Sequence, residues 1–99
     1  MNETQYQADL MRRIPRDVLP GAAVFRQDPV RYQGHPDLLI LHGRFWAMLE
    51  VKISESAPEQ PNQRYWVEHF NNLSFAAFIY PENEEEVLRG LQLAFGYLG

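Results

Sequence analysis

Apolar and polar positions change period several times along this chain, and each change marks an element. Tyr6, Leu10 and Ile14 recur at helical spacing, supported by Met11, behind Asn2 and Gln5 in the arrangement of a capping box. Pro15 ends or bends that first helix. After Pro20-Gly21, the run Ala22 to Phe25 reads as a short strand. Asp28-Pro29 turns the chain, and Val30 to Pro36 is a polar, breaker-rich loop. From Gly34 to Lys52 the chain reads G-H-P-D-L-L-I-L-H-G-R-F-W-A-M-L-E-V-K, two apolar runs about His42-Gly43, which predicts a hairpin turning at those two residues.

Ser54 to Pro61 is a polar connection. Asn62 is placed to cap a helix from about Gln63 to Asn71, with Trp66, Val67 and Phe70 on its buried side. Ser74 to Tyr80 reads as a buried strand. Pro81 opens a last helix with Glu82, Glu84 and Glu85 in its first turn and Val87, Leu88, Leu91, Ala94, Phe95 and Leu98 on its packing face. The order is αβββαβα, a single α/β domain over 1–99 with a mixed sheet flanked by helices. A right-handed crossover makes the Glu50 and Phe78 strands parallel.

Within the hairpin, a two-residue His42-Gly43 loop sets Asp37 opposite Met48. It also puts Asp37, Leu39 and Leu41 on one face with Met48, Glu50 and Lys52. Glu50 is then the diagonal neighbour of Asp37, roughly 7–8 Å away between α-carbons. Carboxylates in strands this apolar are poorly explained by packing. An unpaired buried charge is costly or neutralised, and two carboxylates repel unless a cation lies between them. Hard oxygen ligands suit Mg²⁺ or Mn²⁺, and the backbone carbonyl of Val51 is the candidate for a third protein ligand. Lys52, two residues past Glu50 on the same face, is suited to positioning water and offsetting charge on phosphorus. The chemistry expected is metal-assisted attack of water on a phosphodiester. Ion pairing at the end of a hairpin is the plainer reading of the same three residues.

Composition narrows the field further. The apolar fraction of 45% is that of a folded chain rather than a disordered one. There is no cysteine, which excludes a disulfide scaffold, a thiol nucleophile and a thiolate zinc site. No apolar run reaches the roughly 18 residues of a membrane span, so no membrane association and a cytoplasmic setting are expected. The formal charge of −4 argues against binding nucleic acid by bulk charge. The charges are uneven, however: Arg12, Arg13, Arg16, Arg26 and Arg31 fall early, and Glu82 to Glu86 is acidic.

Pro36-Asp37, a gap of twelve residues, then Glu50-Val51-Lys52 resembles the signature of the PD-(D/E)XK nuclease superfamily. The stretch from Gly34 to Trp66, with G-H-P-D, L-E-V-K and then Gln63-Arg64-Tyr65-Trp66, is most similar to the compact phage and bacterial members of the virus-type replication-repair (VRR-NUC) group. The resemblance implies a restriction-endonuclease-like core and divalent-metal-dependent cleavage of DNA, with branched or junction substrates known among relatives. Phage replication or recombination proteins are the partners it suggests, in a bacterial or phage-infected cell. It further implies that Asp37 and Glu50 bind the metal and that Lys52 assists the water. Glu3 on the first helix is the candidate further ligand, and Gln63 is expected to line the site.

Around that centre, Arg31, Tyr32, His35 and Arg64 are the candidate substrate contacts. Arginine pairs with phosphate, and a tyrosine can stack on a splayed base. Glu3 is equally well explained as an acid favouring a helix start, and His35 as an incidental loop residue. Arg12, Arg13 and Arg16 extend a basic patch or simply solvate a helix end. Trp46, Tyr65 and Trp66 are assigned to packing. The last helix, through Phe95, Tyr97 and Leu98, offers an apolar surface for a homodimer. The alternative to an enzyme is an inactive protein on the same fold, acting as a nucleic-acid-binding or protein-inhibitory module.

Overall fold

Asn2 begins the first helix by accepting the Gln5 N–H at 2.8 Å while the Gln5 side chain accepts the Asn2 N–H at 2.8 Å. From that capping box helix α1 runs over Glu3–Arg13 and buries Tyr6 and Leu10. Pro15 neither stops nor simply bends it. The chain continues as a π-helical turn over Ile14–Val18, closed by the Leu19 N–H on the Ile14 carbonyl at 2.8 Å. A proline at the start of such a turn has no N–H to leave unpaired.

In this computed structural model, which describes residues 1–28 and 32–97, the sheet has four strands. They are β1 (Ala23–Arg26), β2 (Leu38–His42), β3 (Phe45–Val51) and β4 (Phe75–Ile79), arranged in sequence order. The first three are antiparallel, and β4 pairs parallel to β3. Helix α2 (Gln63–Leu73) makes the crossover between those parallel strands, and α3 (Glu84–Ala94) follows β4. The element order and mixed sheet are those expected from the sequence. The Arg31 and Leu98 assignments lie outside the described residues.

Alternation along the strands separates two faces. Leu38, Ile40, Ala47, Leu49 and Val51 join Tyr6 and Leu10 from α1, Ile14 from the π-helical turn, and Val87, Leu88 and Leu91 from α3 in the main core. On the other face α2 packs over β3 and β4, with Phe70 edge-on to the half-buried Trp46 at 6.1 Å. Helices α1 and α3 are tied at their rims by Glu84, which accepts from Tyr6 at 2.8 Å and from both terminal nitrogens of Arg13 at 2.8 and 2.9 Å.

Three expectations are corrected. The hairpin turns at Gly43-Arg44, because His42 pairs with Phe45 and Leu39 with Met48. Gly43 carries the positive φ of 61° that the turn demands. Helix α3 begins at Glu84 rather than Pro81. Asn83 accepts the Tyr80 N–H and donates to the Phe78 carbonyl, holding residues 81–83 as a turn, so Glu82 lies outside the first helical turn. Phe95 is buried and stacks on Phe45, so it does not present an apolar surface to a second copy.

Gly34 is the tightest point of the scaffold. Its φ is +87°, and a Cβ there would meet the backbone of Pro61, Asn62 and Gln63 at 2.6–2.8 Å. The loop before β2 therefore rests directly on the start of α2. Gly34→Ala should destabilise the fold by about 2–4 kcal/mol, from left-handed strain plus overpacking. Gly43→Ala, with nothing near its Cβ, should cost only ~1–2 kcal/mol. Urea unfolding of the two variants checks this; equal losses would show that the contact with α2 is unimportant.

Candidate active site

Continuing the β2–β3 register past Leu38↔Leu49 sets Asp37 opposite Glu50 and Pro36 opposite Val51. Asp37 and Glu50 are thus direct cross-strand neighbours rather than diagonal ones. The one-residue shift of the turn moves the pairing by two positions, so the shared face expected for them is unchanged. The register also explains the proline. The Lys52 N–H bonds the Ile79 carbonyl on β4, so by alternation the N–H and C=O of Val51 point toward β2. Pro36 has no N–H to offer that carbonyl. The Val51 N–H instead donates to Asp37 Oδ2 at 2.9 Å, which fixes the aspartate.

Glu50 is 1% exposed, and its two oxygens differ. Oε2 accepts from Gln63 Nε2 at 3.1 Å, whereas Oε1 is buried without a hydrogen-bond partner. Burial first, then the Asp37 carboxyl beside it, push the Glu50 pKa up to about 9; Lys52 opposes the rise and Glu3 adds to it. The negative charge of Glu3 thus reaches the site from α1. No group of three His, Asp or Glu side chains converges as a ligand set among the described residues. Glu3 stays in the exposed first turn of its helix.

Lys52 is also buried, and its ammonium is held from two sides. It donates to the Pro58 carbonyl at 3.0 Å and to Gln63 Oε1 at 2.7 Å. Gln63, at the first position of α2, therefore bridges Glu50 and Lys52. Its Oε1 takes a further bond from the Gln60 N–H at 2.7 Å, which orients the amide. Beyond Lys52 a cavity of about 280 Å³ is walled by Arg64, Phe78, Tyr80 and Asn83.

The candidate substrate contacts divide. Arg64 lines that cavity over the Phe78 ring at 5.1 Å, with its guanidinium paired to Glu59. His35 is packed edge-on against Trp66 at 4.9 Å and Phe70 at 5.0 Å, and burial lowers its pKa. Tyr32 is half exposed and stacked on His35 at 5.5 Å. Arg12, Arg13 and Arg16 are paired with Asp9, Glu84 and Asp17. Pro58, whose carbonyl anchors Lys52, was not foreseeable, since a backbone oxygen leaves no mark in a sequence.

A hard divalent cation fits these residues. An orphaned, desolvated carboxylate oxygen, a second carboxylate on the adjacent strand and the Val51 carbonyl, which by register faces Pro36, all offer oxygen at one end of the hairpin. Compared by sequence, the chain matches no protein-family model and no curated protein. Compared by structure, it is similar to a solved chain described as a VRR_NUC domain protein. The TM-score is 0.68 at 17% identity, over 97% of this chain and 89% of that one. The fold is that of a VRR_NUC domain. At this identity the likeness to the VRR_NUC chain concerns architecture, and the chemistry has to be argued from the side chains above.

Without divalent ions, a carboxyl whose folded pKa is about 9 against an ordinary 4.5 favours the folded state most fully below the ordinary value, and that contribution is lost as pH rises toward 9. Glu50→Gln should therefore raise the Tm of metal-free protein at pH 8 by about 4–8 °C per kcal/mol recovered, and change it little at pH 4. Mn²⁺ should raise the wild-type Tm at pH 8 and leave the variant's unmoved. Thermal melts in EDTA and in Mn²⁺ check this; parallel wild-type and variant curves across pH would remove the account.

Proposed function

We propose that this chain is a divalent-metal-dependent endonuclease that hydrolyses DNA phosphodiester bonds, with selectivity for branched or junction DNA as the finer part of the reading. The observation that carries it is the buried Glu50 Oε1, which has no partner and lies beside Asp37 and the doubly anchored Lys52. The VRR_NUC fold and the G-H-P-D and L-E-V-K motifs support DNA as the substrate.

Asp37 and Glu50, with the Val51 carbonyl, are the residues that would hold Mg²⁺ or Mn²⁺. The bound ion would polarise the scissile phosphate and offset the charge that develops there. The Val51 N–H keeps Asp37 in place. Gln63 holds Glu50 by its amide nitrogen and Lys52 by its amide oxygen, so one side chain sets their separation. An ammonium has three donors. Two are committed to Pro58 and Gln63, which leaves the third for the attacking water or a phosphoryl oxygen. Lys52 thus acts by positioning water and by electrostatic stabilisation. Water adds to phosphorus, one P–O ester bond breaks, and the products are a phosphomonoester and a hydroxyl. The water's proton passes to solvent and the leaving oxygen is protonated.

Asp37→Ala and Glu50→Ala should each lower cleavage by on the order of 10³-fold, and Lys52→Ala by roughly 10²–10³-fold, with circular dichroism unchanged. Gln63→Ala should cost about 10–100-fold, as loss of a group that orients ligands does. The assay is cleavage of labelled branched, single-stranded and duplex DNA in Mg²⁺ or Mn²⁺. Cleavage that survives EDTA, or that persists in Asp37→Ala, overturns the proposal.

A further inference from the structure

One surface next to the candidate site has a composition that packing does not explain. Tyr65 is 61% exposed and Tyr32 is 52% exposed, although both belong to a contiguous aromatic cluster. Each is backed on one ring face by a histidine. Tyr65 lies parallel to His69 at 5.9 Å and 4°, and Tyr32 is stacked on His35 at 5.5 Å and 29°. Both meet Trp66 edge-on, at 5.1 Å for Tyr65 and 5.8 Å for Tyr32. An aromatic residue used for packing turns its ring against the core. These two are each more than half exposed while bordered by a stacked histidine and by Trp66, an arrangement suited to a flat ligand.

Its position follows from the chain. Trp66 is one turn beyond Gln63 on α2, about 4.5 Å along the axis. His35 stands two residues before Asp37. The same helix and the same loop therefore carry both the cluster and the site.

Charge narrows the ligand. Gripping a duplex by its phosphates needs free cations. Of the described cations, Arg12, Arg13, Arg16 and Arg64 are paired with carboxylates, Arg26 is bonded to Gln7, and Lys52 is buried at the site; Arg44 lies over Phe45 at the hairpin turn and Arg89 is on α3. Bases stack on aromatic rings without such charge, because every base has a π face. Duplex bases are stacked on each other and offer none. We propose that Tyr32 and Tyr65, set about Trp66 and backed by His35 and His69, form a stacking platform for unpaired DNA bases beside the scissile phosphate. This rests on the endonuclease reading only for the word scissile; the platform itself is a binding site.

Binding is measured in EDTA, so that no cleavage intervenes, by fluorescence anisotropy of a labelled oligothymidylate and of a duplex. The single strand should bind more tightly than the duplex. Tyr65→Ala and Tyr32→Ala should each weaken single-strand binding by roughly 5- to 150-fold, the worth of one stacked base, with little effect on duplex. Tyr65→Phe, which keeps the ring, should bind as wild type. Equal affinity for both DNAs, or single-strand binding unmoved by both alanine variants, overturns the platform. Cleavage in Mn²⁺ is the separate arm. If Asp37→Ala abolishes cleavage but the tyrosine variants bind as wild type, the platform fails and the nuclease stands. If no DNA is cut while the alanine variants lose single-strand binding, the nuclease fails and the platform stands.

Discussion

A buried carboxyl group with one oxygen left without a hydrogen-bond partner, at the end of an interior strand, is the constraint around which this protein is built. Glu50 is flanked by β2 on one side and β4 on the other, and α2 covers its face of the sheet. Water is excluded from Oε1, and Asp37 faces it across the strands. In such a setting a charged carboxyl costs several kcal/mol, so it is neutral or accompanied. One oxygen is satisfied by Gln63, and Lys52 offsets part of the charge without touching it through any hydrogen bond described. The hard divalent cation proposed for this site is one companion that would fit the remaining deficit.

The scaffold is arranged so that this deficit cannot relax. Pro36 offers the Val51 carbonyl no N–H, and the Val51 N–H donates to the Asp37 carboxylate. Gly34, with no Cβ, lets the preceding loop sit on the backbone at 61–63, which brings Gln63 over the end of β3. Helix α2 therefore starts where it does because of a loop contact, not because of a side-chain cap: Asn62 has a left-handed φ of 69° and no capping bond from its side chain. The main core on the opposite face fixes β2 and β3 against α1 and α3. A strand slip that would separate Asp37 from Glu50 would also turn Leu38, Ile40 and Leu49 out of that core.

Much of this was legible because it depends on periodicity. Successive strand residues point to opposite faces, so the shared face of Asp37, Glu50 and Lys52 could be read before the register was known. The turn itself was misplaced by one residue. Gly43 serves equally at the first or second position of a two-residue hairpin loop, and only strand pairing decides between them. The π-helical turn after α1 and the Pro58 anchor of Lys52 were not legible, since both are made by backbone groups. Tyr65 and Trp66 were read as packing from their apolar character. The sequence gives no sign that Tyr65 lies off the buried stripe of Trp66 and Phe70 until the helix phase is known, and its ring is in fact open to solvent.

An acidic protein with four of its seven described arginines paired to its own carboxylates has few free cations for the outside of a double helix. Arg13 holds Glu84 and so ties α1 to α3; it is a structural cation. Arg64 is balanced by Glu59 at the mouth of the cavity beside Lys52. Among the described residues near the chemistry, Lys52 is a buried ammonium that can act on one phosphate, and Arg26, beside the start of β2, is bonded to Gln7. For the DNA ligand proposed above, affinity would then come from contacts that do not depend on charge, such as the exposed rings around Trp66. The same argument explains why overall charge is a poor guide to the ligand here: a chain of −4 can still handle a polyanion if it grips bases and meets the backbone at one neutralised point.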